Sequence, residues 1–94
     1  MAGAYRFQPP TQYLNYHAQL QEWADKNHVL LDWQLLQTEY VNGVSVHSVY
    51  PIIAGSRVTW AVGRGRQMKH AKDASAEVLI NTPGALSQAL NGYR

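Results

Sequence analysis

Arg64, Arg66, Lys69 and Lys72 place four cationic side chains within nine residues, in the run Gly63-Arg64-Gly65-Arg66-Gln67-Met68-Lys69-His70-Ala71-Lys72. From Met68 onward, Ala71, Ser75, Val78 and Leu79 recur at helical spacing, so both lysines fall in the opening turns of a helix. Lysine there opposes the helix macrodipole, which favours anions by a few tenths to about 1 kcal/mol per charge. An external anion is the missing partner, and the free N–H groups of a first turn point at the same place. Lys69 and Lys72 lie one turn apart and present their charges on a common face, which suits phosphates. Read without such a ligand, the run is a solvated, basic helix start.

Other chemistries find little support. His17, His28, His47 and His70 share no close metal spacing, and the chain has no cysteine. Ser45, Ser48, Ser56, Ser75 and Ser87 lack the setting of a nucleophile elbow. Gly63-x-Gly65 is followed by neither a third glycine nor a Walker lysine. The residues therefore imply no catalytic group, no metal site and no cofactor.

The charge is local. Residues 41–72 hold Arg57, Arg64, Arg66, Lys69 and Lys72 with no acid, while residues 1–40 carry more acids than bases and the whole chain is only +2. A basic patch on a nearly neutral domain points to a polyanion or an acidic partner. Ninety-four residues with 46% hydrophobic content fit one small domain. No apolar run approaches a membrane span and no signal-peptide core is evident, so an intracellular location, cytoplasmic or nuclear, is expected, with no membrane partner.

The elements that must aim the patch follow from periodicity and turn signals. Residues 1–10, with Gly3 and Pro9-Pro10, read as a loosely held N-terminal arm whose Tyr5 and Phe7 could pack back on the domain. Thr11 suits an N-cap for a helix over about 12–27, carrying Tyr13, Tyr16, His17, Leu20, Trp23 and Ala24 at helical spacing. Trp33–Val41 and Val44–Ile53 read as strands joined by Asn42-Gly43, the pair that a type I′ turn requires. Pro51 cannot donate to a ladder, so a bulge or an early end of pairing is expected near Tyr50-Pro51. A turn at Ala54-Gly55-Ser56 leads to a third strand, Arg57–Val62, and then the basic run opens the second helix, which ends before Pro83-Gly84. Residues 83–94 form a tail or a short helical turn. The fold class is α+β: an α-β-β-β-α order, with a three-stranded antiparallel sheet and two helices packed on one face. Leu20, Trp23, Ala24, Met68, Ala71, Val78 and Leu79 are the expected helix contribution to the core.

That order and the run Gly-x-Gly-x-x-Met-Lys-His-Ala-Lys resemble the double-stranded RNA-binding domain (dsRBD), over residues 11–82. The family's second helix opens with Lys-Lys-x-Ala-Lys after a glycine-containing turn. Here Lys69 and Lys72 match its second and third lysines, Met68 stands at the first, and Ser75-Ala76 falls on its paired small residues. Leu20-Gln21-Glu22-Trp23 is similar to the family's Leu-x-Glu-aromatic segment, whose glutamate contacts the RNA minor groove. The family's Gly-Pro-x-His loop between the first two strands corresponds to Gly43-Val44-Ser45-Val46, with His47 one place late and no proline, so this loop is shortened.

The resemblance implies a module that recognises the shape of A-form RNA without strong sequence preference. Lys69, Lys72, Arg64 and Arg66 would meet phosphates, and Gln19, Glu22 and His47 would meet the minor grooves. The alternative is a domain of the same fold used for protein–protein association or dimerisation, with weak or no RNA binding. A homodimer could pair the third strand, Val58–Val62, edge to edge, because that segment carries no charge or proline to block pairing.

Overall fold

The computed structural model describes residues 5–93, so residues 1–4 of the expected arm and Arg94 lie outside the described residues. The elements, in order, are α1 (Tyr16–Lys26), β1 (Leu31–Val41), β2 (Val44–Ile53), β3 (Ser56–Arg57), β4 (Gly63–Gly65), α2 (Met68–Ile80) and α3 (Ala85–Tyr93). The fold is α+β, as expected: an antiparallel sheet with β2 at its centre, covered on one face by helices.

The first helix starts later than its periodicity suggests, because two side chains divide the capping work. Thr11 closes a separate turn, accepting from the Leu14 N–H through Oγ1 at 3.0 Å. Asn15 is the true N-cap, its Oδ1 accepting from the Ala18 N–H at 2.8 Å. At the other end His28 adopts a left-handed φ of 56°, and the Val29 and His28 N–H groups bond back to the Ala24 and Asp25 carbonyls. This is a Schellman ending with histidine in the place usually held by glycine.

The β1–β2 hairpin closes where expected, with β1 starting two residues earlier, at Leu31 rather than Trp33. Val41 pairs with Val44, and Asn42 and Gly43 have φ of 51° and 78°, the double positive φ of a type I′ turn. The irregularity falls in β1, between Leu35 and Gln37, and pairing with β1 continues past Pro51 to Ile53. Pro51 is accommodated on the other edge. Its carbonyl accepts from the Val58 N–H at 2.9 Å, away from β1, and its missing N–H faces the same way. That edge is the one interrupted at Tyr50-Pro51: β4 covers His47–Val49 and β3 covers Ile52–Ile53.

The third strand is thereby corrected. Val58–Val62 is not a strand but a loop between two short ones. A strand would turn Val58, Trp60 and Val62 to one side, whereas Val58 and Ala61 are the buried pair, with Thr59 and Trp60 exposed between them. The Ser75 hydroxyl donates to the Ala61 carbonyl and fixes the loop against α2. An edge-paired homodimer through Val58–Val62 consequently has no strand to build on.

The core gathers Leu20, Trp23, Ala24, Leu31, Ile53, Val58, Ala61, Ala76, Leu79 and Ala85. Met68 and Val78, expected inside, are 37% and 40% exposed. The arm is not loose over residues 5–8. Tyr5 and Phe7 pack on the core, and the fully buried Gln19 clamps Gln8 from both sides, accepting from its N–H and donating to its carbonyl at 2.9 Å each. Beyond Pro83-Gly84 the tail forms a helix, α3, with Ala85 buried and Leu86, Ala89 and Leu90 packed on the core. Among the described residues, no helix is long and apolar enough to cross a membrane.

Candidate functional site

Gly63 and Gly65 position the basic helix by what they lack. Neither has a positive φ; instead α2 lies directly on them. A Cβ on Gly63 would stand 2.1 Å from the Ser75 backbone nitrogen and 2.2 Å from the Ala71 carbonyl oxygen, and one on Gly65 would stand 2.7 Å from the Ala71 nitrogen. The small residues Ala71, Ser75 and Ala76 complete the close approach, all of them fully buried. Since Gly65 pairs with His47, α2 begins over the middle of the hairpin, and its N-terminal end looks toward the hairpin tip.

The start of α2 carries Arg66, Lys69 and His70, all exposed, with Lys72 half-buried one turn on. Its N-cap, Gln67, makes no side-chain capping bond, and the first turn contains no acid. Among the described residues Arg66, Lys69 and Lys72 enter no ion pair. The site is thus a helix end whose first turn holds no acid and whose cations enter no ion pair among the described residues.

Arg64 does not belong to it. Because the Cβ positions of Gly63 and Gly65 face α2, strand alternation turns Arg64 to the opposite face of the sheet. There its Nη2 meets the Glu39 carboxylate at 2.9 Å. Arg64 stands opposite Ser48 on one flank of β2, and Glu39 opposite Val46 on the other, so the pair crosses the central strand. Gln37 adds a bond to the same carboxylate at 3.0 Å.

The first-helix residues are also constrained. Gln19 holds the arm and exposes nothing. Glu22 is exposed but accepts from the Tyr5 hydroxyl at 3.1 Å. Partial burial, with the bond to Glu22 and its negative charge, raises the Tyr5 pKa. The arm therefore runs over the α1 face that holds both residues. His47 sits on the α2 side of the hairpin, its Nδ1 sharing a bond with Thr38 Oγ1 at 3.0 Å.

Periodicity gave no sign of how α1 is tied to the basic helix. The His17 N–H donates to Asp73 Oδ1 at 3.0 Å, and its ring stands edge-on to Trp33 at 5.4 Å. Burial, and then the neighbouring Lys72 charge, lower the His17 pKa, with Asp73 acting partly against them. Among the described residues no group of three histidines or carboxylates could hold a metal ion.

No family model and no curated protein matches the chain. The functional reading rests on the residues of the site and on the fold that carries them.

Proposed function

We propose that the chain is a double-stranded RNA-binding module of the dsRBD type, reading the shape of an A-form duplex. One observation carries the reading: Lys69, Lys72 and Arg66, which enter no ion pair among the described residues, gather on a helix start that lacks a side-chain cap and packs closely over a sheet. The major groove of duplex RNA is deep and narrow, so a protein that recognises the duplex touches phosphates across that groove and 2′-hydroxyls in the flanking minor grooves. Two lysines one helical turn apart supply the phosphate contact. The hairpin, with His47 and Thr38 on the same side, supplies polar groups for a minor groove, and exposed Glu22 can accept from a 2′-hydroxyl. Such a partner sets the protein inside the cell, in cytoplasm or nucleus.

The contact set is smaller than the sequence pattern implies, since Arg64 is paired with Glu39 and Gln19 is buried. A second reading, a protein-association module of the same fold, draws on β1, an edge strand that leaves Leu35 and Leu36 exposed. A Lys69→Ala, Lys72→Ala double variant separates the two. Loss of duplex RNA binding is expected; unchanged affinity would remove the RNA assignment.

A further inference from the structure

Tyr40 stands free near the tip of the hairpin, on the side of the sheet that α2 occupies. It is 78% exposed and faces Ser45 across the hairpin, a side chain too short to cover a phenol ring. Its direction follows from the register. Thr38 pairs with His47, and His47 with Gly65, whose Cβ position faces α2; alternation then puts Thr38, Tyr40, Ser45 and His47 on the side of the hairpin that α2 occupies. Two residues further along the strand than Thr38, Tyr40 lies about 7 Å nearer the hairpin tip than the Thr38–His47–Gly65 row, on which His70 and Ala71 of α2 rest. The hairpin presents no carboxylate on that side, because Glu39 points the other way and is held by Arg64. The type I′ turn at Asn42-Gly43 and the Thr38–His47 bond brace the strand ends around the ring.

Resting on the RNA-binding reading above, we propose that Tyr40 is a stacking platform for an unpaired base, so that the chain prefers duplex RNA continued by a single-stranded segment. A base inside an uninterrupted duplex keeps both faces against its neighbours and offers the ring nothing. An overhanging or bulged base has a free face, and stacking on an aromatic side chain tolerates any base. Lys69 and Lys72 then hold phosphates of the paired part while Tyr40 holds the first unpaired base. The composite site reads a junction, with no base edge recognised.

The test uses the intact chain and a duplex RNA of about 16 base pairs with a short 3′ overhang, made either with bases or with abasic sugars, so that charge and length are equal. The native chain is expected to bind the base-bearing overhang about tenfold more tightly than the abasic one. Tyr40→Ala should abolish that preference and Tyr40→Phe should keep it. A fluorescent 2-aminopurine in the overhang should change its emission when the native chain binds, a readout that needs no variant. Equal affinity for the two RNAs, a preference that survives in Tyr40→Ala, or unaltered 2-aminopurine emission overturns the stacking role. If both RNAs bind equally and Lys69→Ala, Lys72→Ala weakens both, only the Tyr40 inference falls. If neither RNA binds, the RNA reading falls with it.

Discussion

Arg64 and Glu39 meet at 2.9 Å across the sheet face turned away from the helices, and this contact divides the four clustered cations into two groups. Arg66, Lys69 and Lys72 serve the helix start, whereas Arg64 braces the hairpin. Arg64→Ala is therefore expected to leave duplex RNA affinity within about twofold, while costing no more than about 1 kcal/mol of stability, as exposed pairs do. Titration of a labelled duplex checks it. A loss as large as that of Lys69→Ala would mean that Arg64 leaves Glu39 to meet RNA.

Gly63 sits where α2 touches the sheet. A methyl group there meets backbone atoms of Ala71 and Ser75 rather than a flexible side chain, so relief requires the helix to lift. Gly63→Ala is expected to destabilise the fold by about 3 kcal/mol or more, at the upper end of overpacking costs. The midpoint of urea unfolding measures this, and a variant as stable as the native chain would contradict the close packing.

Gln19 is placed by the structure as a clamp. Gln19→Ala would strand the N–H and carbonyl of Gln8 or release the arm to water, at a cost of about 1–3 kcal/mol. The unfolding midpoint should fall, with RNA affinity of the folded protein retained. Weakened RNA binding at unchanged stability would restore the minor-groove role that its sequence position suggests.

His17 ties stability to pH. Its folded-state pKa lies below the ordinary value of 6.5, owing first to burial and then to Lys72. The unfolded chain therefore takes up the proton more readily, and stability rises with pH across the interval between the two values. The contribution of His17 should be complete above about pH 6.5 and lost as pH falls through the lowered pKa. His17→Gln should flatten that part of the profile in thermal melts from neutral to mildly acid pH. An unchanged slope would assign the effect to other groups.

The hairpin was legible because Asn42-Gly43 leaves few alternatives to two positive φ values, and the basic helix because its apolar spacing is regular. The third strand was misread for a physical reason. Val58–Val62 alternates like a strand, yet Pro51 leaves the central strand without a donor at that point, and the chain answers by looping out Thr59 and Trp60. The start of α1 depended on which of Thr11 and Asn15 caps the helix and which closes a turn, a choice made by backbone geometry. Gln19 looked like a surface residue because its partner is main chain eleven residues away, and backbone groups carry no signature in a sequence. The same holds for Gly63 and Gly65: their presence was visible, but their purpose, close approach rather than unusual φ, emerges only once α2 is laid on them.

Equilibrium binding of the native chain to a duplex RNA of about 16 base pairs and to duplex DNA of the same sequence, each at two salt concentrations, tests the proposed RNA recognition most directly. Tighter binding to RNA is expected, with log K falling against log salt at a slope of roughly −2 to −3, if Arg66, Lys69 and Lys72 together neutralise two or three phosphates. Equal affinity for RNA and DNA, or no binding to either at low salt, would contradict it.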